Sequence, residues 1–425
     1  MKICRFLLLS AASLLSLKTA VAQVVTVVAN ADGSLVEEQS DSNYADDNKS
    51  ALVNVNGLSD DTADAKAGKR FTADDTDFVW SVKLLKRTFE RQNNNFVVSP
   101  LSVYFATDLL ANGAADDNLQ EIMSGILTIS ADYGIDDINK SLANYLNNMS
   151  SAFEINNSVW ADNIKKQYID VVQNQLKADV KKRPENTDII NKWVNKKTHG
   201  RISKLLQSQE TAEGTIYLVN TTYFKDDWVQ GFDKFDTKEA DFHSFNGETD
   251  KVNMMFKKMS VEYYEDDTMQ AIRLPYKKGD TIQILLPKGN IADFINGMDA
   301  AKLKIPYEYK KVQIYLPRFE IGYKNDNMTE DFQYFGLQAA FDEQRIDLFP
   351  KLSDIPHYVA QIVHQANIKL DEEGTVASAA TAVGMRKTAA IVRPEKYINF
   401  RADKPFVFMI DNGAFIGAYL QGDLE

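Results

Sequence analysis

Side chains able to carry chemistry are sparse in this chain. Its four histidines are His199, His243, His357 and His364, and none falls in a His-Glu-x-x-His motif or another metal-ligand spacing. A Gly-x-Ser-x-Gly nucleophile turn, a phosphate-cradling glycine loop and a dinucleotide fingerprint are all missing from the sequence. Sixty acids offer many carboxylate pairs, but without a fold to hold them such pairs read as solvated faces rather than acid–base couples. His364 lies in the apolar run YVAQIVHQANIKL, where a hydrogen-bonded core histidine is the expectation. These residues recommend no enzyme, no metal site and no cofactor. One stretch stands apart: LDEEGTVASAATAVGMRKTAAIVRPEK, residues 370–396. It runs from acids and a glycine through small residues to the basic pair Arg386-Lys387, and meets a proline at Pro394. No helix cap, strand alternation or binding loop accounts for the whole of it.

Any site must be positioned by the elements around it. TDFVWSVKLLKRTFERQ places Phe78, Val82, Leu85 and Phe89 near one face of a helix. SPLSVYFATDLLANGA predicts a second helix, capped by Ser99 with Pro100 in its first turn. TDIINKWVNKKTHGRI predicts another, closing at Gly200. Strands are expected at GTIYLVNTTYF, TIQILLP and KVQIYLPRFEI, and as a pair at KPFVFMI and AFIGAYL around an Asp-Asn-Gly turn. Helices dominate early and strands late, which predicts an α+β fold rather than alternating βαβ units.

The 425 residues are 44% hydrophobic and 25% charged, as a core-forming globular protein requires. A net charge of −12 argues against nucleic acid or an anionic membrane as the main partner. Residues 1–22 read as a secretory signal: Lys2 and Arg5, then FLLLSAASLLSL, then Ala20-Val21-Ala22 before a cut at Gln23. Residues 23–76 are acidic and nearly free of aromatics, so a disordered extension is expected. Residues 77–425 read as one large domain. The only cysteine, Cys4, lies in the signal, leaving the mature chain without a disulfide or thiol nucleophile. Six Asn-x-Ser/Thr sequons occur, at Asn48, Asn139, Asn148, Asn156, Asn220 and Asn327, in keeping with secretion.

Eight segments in register resemble the serpins, the serine-protease inhibitors and their non-inhibitory relatives. They are NNNFVVSPLSVYFATDLLANGA, INKWVNKKTHGRI, LVNTTYFKDDW, VNMMF, LPYKKGDTIQILLP, LPRFEI, DEEGTVASAAT and KPFVFMI…FIGAYL, and within the family the likeness is to insect-type members. Departures are Asp116 and Asn118 where Gly and Thr are usual, Arg201 for Lys, Asp226 for Gly, and Val376 for Glu. The resemblance implies helices packed around a large central mixed sheet with two smaller sheets, and an exposed reactive-centre loop. It implies a suicide substrate: a protease cuts the loop, stays acylated, and is carried off as the loop enters the central sheet as a new strand.

By the family register the inward set is Thr375, Ala377, Ala379 and Thr381, all small and uncharged, following the hinge residues Glu373 and Gly374. An ionised side chain there would cost several kcal/mol and stall insertion. Counting fifteen residues from Gly374 reaches Thr388 and a Thr388-Ala389 bond, which suits an elastase-like enzyme. One residue earlier lies Lys387, two earlier Arg386. Charge favours the Lys387-Thr388 bond and a trypsin-like target, whose pocket holds a carboxylate. The resemblance assigns Ser99, Ser102, Asn220 and His364 to a polar shutter beneath the sheet, with Asn220 buried and unglycosylated, and Trp228 to the breach where insertion begins. It implies an extracellular serine protease as covalent partner and a monomer. The helix region DYGIDDINKSLANYL is not basic, so no glycosaminoglycan activation is expected. The alternative is a non-inhibitory carrier or signalling scaffold.

Overall fold

The computed structural model describes residues 27–29, 35–37, 73–115, 119, 122, 134–200, 202–325, 328–344, 348–375 and 395–423. The chain divides into two units, Met1–Lys66 and Ala67–Glu425. Of the first, the structure describes β1 (Val27–Ala29) paired antiparallel with β2 (Leu35–Glu37), a short hairpin inside the acidic stretch for which no regular element was expected.

The second unit opens with α1 (Ala73–Arg91) and α2 (Pro100–Gly113). Ser99 caps α2 as expected, its hydroxyl accepting from Ser102 N. Later helices are α3 (Ile135–Asn148), α4 (Lys166–Asn174), α5 (Asp188–Lys197), α6 (Ile291–Asn296) and α7 (Met328–Tyr334). The turn after α5 passes through Gly200 at φ +82°, a left-handed conformation that suits glycine.

Among the described residues the central sheet has seven strands. It is ordered β5 (Asp179–Lys182), β4 (Phe153–Ala161), β6 (Thr215–Phe224), β14 (Tyr358–Leu370), β15 (Gly374–Thr375), β7 (Asp226–Asp227), with β13 (Phe319–Asn325) on the far side of β14. Strand β6 is TIYLVNTTYF and buried throughout, because both of its faces are covered. Ile216, Leu218 and Phe224 enter the main core with α2, while Tyr217 and Val219 join Trp160, Ile190, Trp193 and Val194 on the other face. A near-continuous apolar run is what a strand buried on both sides requires.

The second sheet has nine strands: β16 (Ile398–Arg401), β12 (Glu308–Pro317), β9 (Thr249–Glu265), β10 (Met269–Pro275), β11 (Thr281–Pro287), β17 (Phe406–Ile410), β18 (Phe415–Tyr419) and β3 (Phe96–Val98), with β8 (Lys238–His243) on β9. Two smaller sheets were expected from the sequence, and here they run together. The reason is β9, whose 17 residues pair first with β8 and then with β10, with β12 alongside both halves.

Candidate functional site

The middle of the central sheet is a seam between two parallel strands. Strand β14 pairs β6 from Tyr358–Thr215 to Asn367–Tyr223, with a register shift between Val359 and Gln361. Beneath this seam the structure brings together the four predicted shutter residues. Ser99 N donates to His364 Nε2 at 3.1 Å, so that nitrogen is an acceptor and the proton sits on Nδ1, which donates to Asn220 Oδ1 at 3.1 Å. Ser99 and Ser102 share a hydroxyl bond of 2.9 Å, and Ser102 Oγ bonds Thr222 Oγ1, which donates back to Asn220 Oδ1 at 3.2 Å. Asn220 Nδ2 donates to Asn157 Oδ1 at 2.6 Å, tying in β4. Burial pulls the His364 pKa down to about 3, so the network is neutral. Asn157 and Thr222 were missed in the sequence. Asn157 is brought in by the cross-strand pairing Asn157–Asn220, and Thr222 by lying two residues beyond Asn220 on the same face of β6.

At its upper end the seam is entered by the start of the unusual segment. After Leu370 the chain reverses within Asp371–Gly374, where Asp371 Oδ1 accepts from Glu373 N at 2.9 Å and Gly374 N at 3.3 Å. Thr375 then pairs back with Leu370 on one side and with Asp226 on the other. Gly374 is obligatory here: its φ is +153°, and a Cβ would collide with the backbone of Asp226 and Asp227. Thr375, the first predicted inward residue, has no exposed surface. Its hydroxyl is 2.8 Å from Tyr276 Oη.

The segment 228–237 grips this reversal from outside. Trp228 N donates to Glu373 O at 2.8 Å and its indole Nε1 to Asp371 O at 2.9 Å. Phe232 N donates to Glu372 O at 2.7 Å. Glu372, almost completely buried, accepts from Thr237 Oγ1 at 2.7 Å and faces Arg318, while Lys234 pairs with Glu373. The departure at Asp226 has a structural explanation. Its carboxylate accepts from its neighbour Asp227 N and from Lys278 N, each at 2.8 Å, fastening the turn to the β10–β11 hairpin. Lys234, Thr237, Tyr276 and Arg318 were not found from sequence, since none belongs to a motif that marks contact with the hinge.

The remaining predicted positions divide. Val376, Ala377, Ala379, Thr381, Arg386, Lys387, Thr388 and Ala389 lie outside the described residues, as do Asp116, Asn118, Arg201 and the sequons at Asn48 and Asn327. Asn139 is a correction. It is 1% exposed, and its carboxamide exchanges two hydrogen bonds with Asn112 at 2.8 and 2.9 Å, leaving no room for a glycan. Asn156 is half-buried within β4, Asn148 is exposed at the end of α3, and Asn220 is buried. Among the described residues no helix is long and apolar enough to cross a membrane, and no three acid, histidine or cysteine side chains gather as metal ligands.

A parallel seam closed beneath by a neutral polar network, with Gly374-Thr375 seated in its mouth, is the site this fold builds. The chain belongs to the serpin family: the family model, described as serine protease inhibitor, matches residues 76–419. An uncharacterized serpin-like protein of Methanosarcina mazei is 30% identical over 75% of this chain and 78% of its own. The leukocyte elastase inhibitor of Equus caballus is 29% identical over 74% and 89%. Among solved structures, the thermophilic serpin tengpin in its native state superposes with a TM-score of 0.73 at 27% identity, covering 86% of this chain and 96% of the other. The two sequence relatives come from an archaeon and a mammal, and an insect serpin from Tenebrio molitor shares only the fold, at 20% identity, so the insect-type likeness expected from the sequence is not supported.

Proposed function

We propose that this chain is a secreted, monomeric inhibitor of a trypsin-like serine protease, acting once per molecule as a suicide substrate. The observation that carries the reading is the seating of Gly374-Thr375 between β14 and β7, at the mouth of the β6–β14 seam. The following residues, VASAATAVG, are small enough to continue into a packed sheet, and no proline interrupts them before Pro394.

In this mechanism the protease serine attacks the Lys387 carbonyl. The Lys387–Thr388 amide bond breaks, Thr388 departs as a free amine carrying a proton relayed by the protease histidine, and an acyl-ester remains on Lys387. The cut loop enters the seam before water can release the ester, and the enzyme leaves with it, distorted. The signal at residues 1–22 supports secretion, and exposed Asn148 is the described sequon best placed for a glycan.

A second reading is a carrier or signalling scaffold whose loop is cut without trapping. The bracing of the seam mouth by buried Asp226 favours it, because a turn tied to Lys278 resists parting. Incubation with a panel of trypsin-like and elastase-like proteases decides between the two. The inhibitory reading expects an adduct that survives SDS, with mass spectrometry of the released C-terminal peptide starting at Thr388. Complete cleavage without any adduct supports the scaffold.

A further inference from the structure

Tyr276 follows β10 and is wholly buried at the mouth of the seam. Its ring lies flat on Trp228, with centroids 4.4 Å and planes 11° apart. Stacking fixes the ring and aims the hydroxyl at Thr375 Oγ1, 2.8 Å away. Trp228 is in turn held by its bonds to the Asp371 and Glu373 carbonyls. Every group in this chain of contacts is placed by another, and the last one placed is the first insertable residue of the loop.

We propose that Tyr276 is a positioning residue for loop insertion. It latches Thr375 into the sheet of the intact chain as a preformed first rung, which nucleates insertion and fixes its register. The proposal rests on the inhibitory reading above. Starting a strand orders several backbone torsions in return for few hydrogen bonds, whereas later rungs extend an existing ladder. A loop that begins with one rung made therefore closes faster against the deacylating water. Register matters equally. A slip of one residue would bring Val376 to the site of Thr375 and send every inward residue to the opposite face. The hydroxyl pair resists the slip, because valine has no group to satisfy Tyr276 Oη.

The test uses the full chain and the variants Tyr276→Phe, Thr375→Val and Thr375→Ser. Phe keeps the stacked ring, and Thr375→Val keeps the shape of the rung, so folding is preserved in at least one of them. Hydrogen exchange on the intact protein reads the latch without any protease. The amides of residues 371–375, with those of Trp228 and Phe232, should be protected in the wild type and exchange about tenfold faster in Tyr276→Phe. Exchange at free-loop rates in the wild type, or no change in the variant, overturns the latch. Partition between trapping and simple cleavage reads the function. The cleaved-but-free fraction should rise about fivefold in Tyr276→Phe and in Thr375→Val. It should return to the wild-type level in Thr375→Ser, and be no greater in the Tyr276→Phe/Thr375→Val double variant than in the worse single. A wild type that traps, with a partition indifferent to Tyr276, overturns this proposal alone. A wild type that is cut and traps nothing overturns it together with the inhibitory reading.

Discussion

Two buried titratable groups contribute in opposite directions to the chain's response to pH. Asp108, midway along α2, is fully buried, and among the described residues neither of its carboxylate oxygens has a hydrogen-bond partner. Desolvation pushes its pKa well above the ordinary value, so the folded chain binds this proton more tightly than the unfolded one. Stability from this group is thus fully present below about pH 4 and is lost as pH rises through the folded-state pKa. Replacing Asp108 with Ala should raise the melting temperature of the intact protein by several degrees at pH 8, for a relief of about 1–3 kcal/mol. The gain should shrink as the pH is lowered; a gain independent of pH would show that ionisation of Asp108 is not the cost. His364 is the reverse case, with its pKa depressed to about 3 by burial. The unfolded chain takes up this proton below about pH 6.5, so stability falls across the window from 6.5 to 3. A His364→Gln variant should have a flatter acid limb in melts recorded between pH 7 and 4, and an unchanged limb would clear His364 of that role. His364 is legible in the sequence through the apolar run around it. Asp108 is not, because α2 is apolar around nearly its whole circumference and an isolated acid in such a helix carries no spacing that marks it.

At the scale of elements, the loop is an extension of β14 that has already turned back beside its own strand. If the proposed insertion continues from Thr375, alternate positions would face the core, and the next two are Ala377 and Ala379. Ala379→Arg should leave the fold and the melting temperature of the intact protein unchanged while converting inhibitor into substrate, seen as loss of the SDS-stable band. Retained trapping would place Ala379 on the outward face. The bait is tested separately. Lys387→Ala should abolish rapid cleavage by trypsin-like enzymes and leave an elastase-like cut at Thr388-Ala389; undiminished tryptic cleavage would move the bond to Arg386. Most strands were legible, because runs such as TIYLVNTTYF are long, apolar and β-branched. The joining of the two smaller sheets was not, since MMFKKMSVEYYE carries no turn residue to show that one strand serves both sheets. The grip of residues 228–237 on the hinge was also hidden. It is made largely by backbone groups of Trp228 and Phe232, which leave no trace in side-chain patterns.

Across the whole molecule, family and architecture followed from eight motifs in one order, and the fold divides their strands between the central and the second sheet. On the proposed mechanism the intact chain is not its own most stable arrangement, because the small residues after Thr375 would gain by entering the central sheet as a further strand. Insertion of the segment after Thr375 would add on the order of ten ladder hydrogen bonds, each contributing about 1 kcal/mol, and bury the inward side chains, against the entropy of ordering the loop backbone. A net gain of about 10 kcal/mol would raise the melting temperature of a domain this size by about 14 °C. The direct measurement is a pair of thermal melts, one on the intact protein and one on protein nicked within residues 382–390 with both pieces retained. The account predicts that the nicked form melts far above the intact one; equal or lower melting of the nicked form would contradict it.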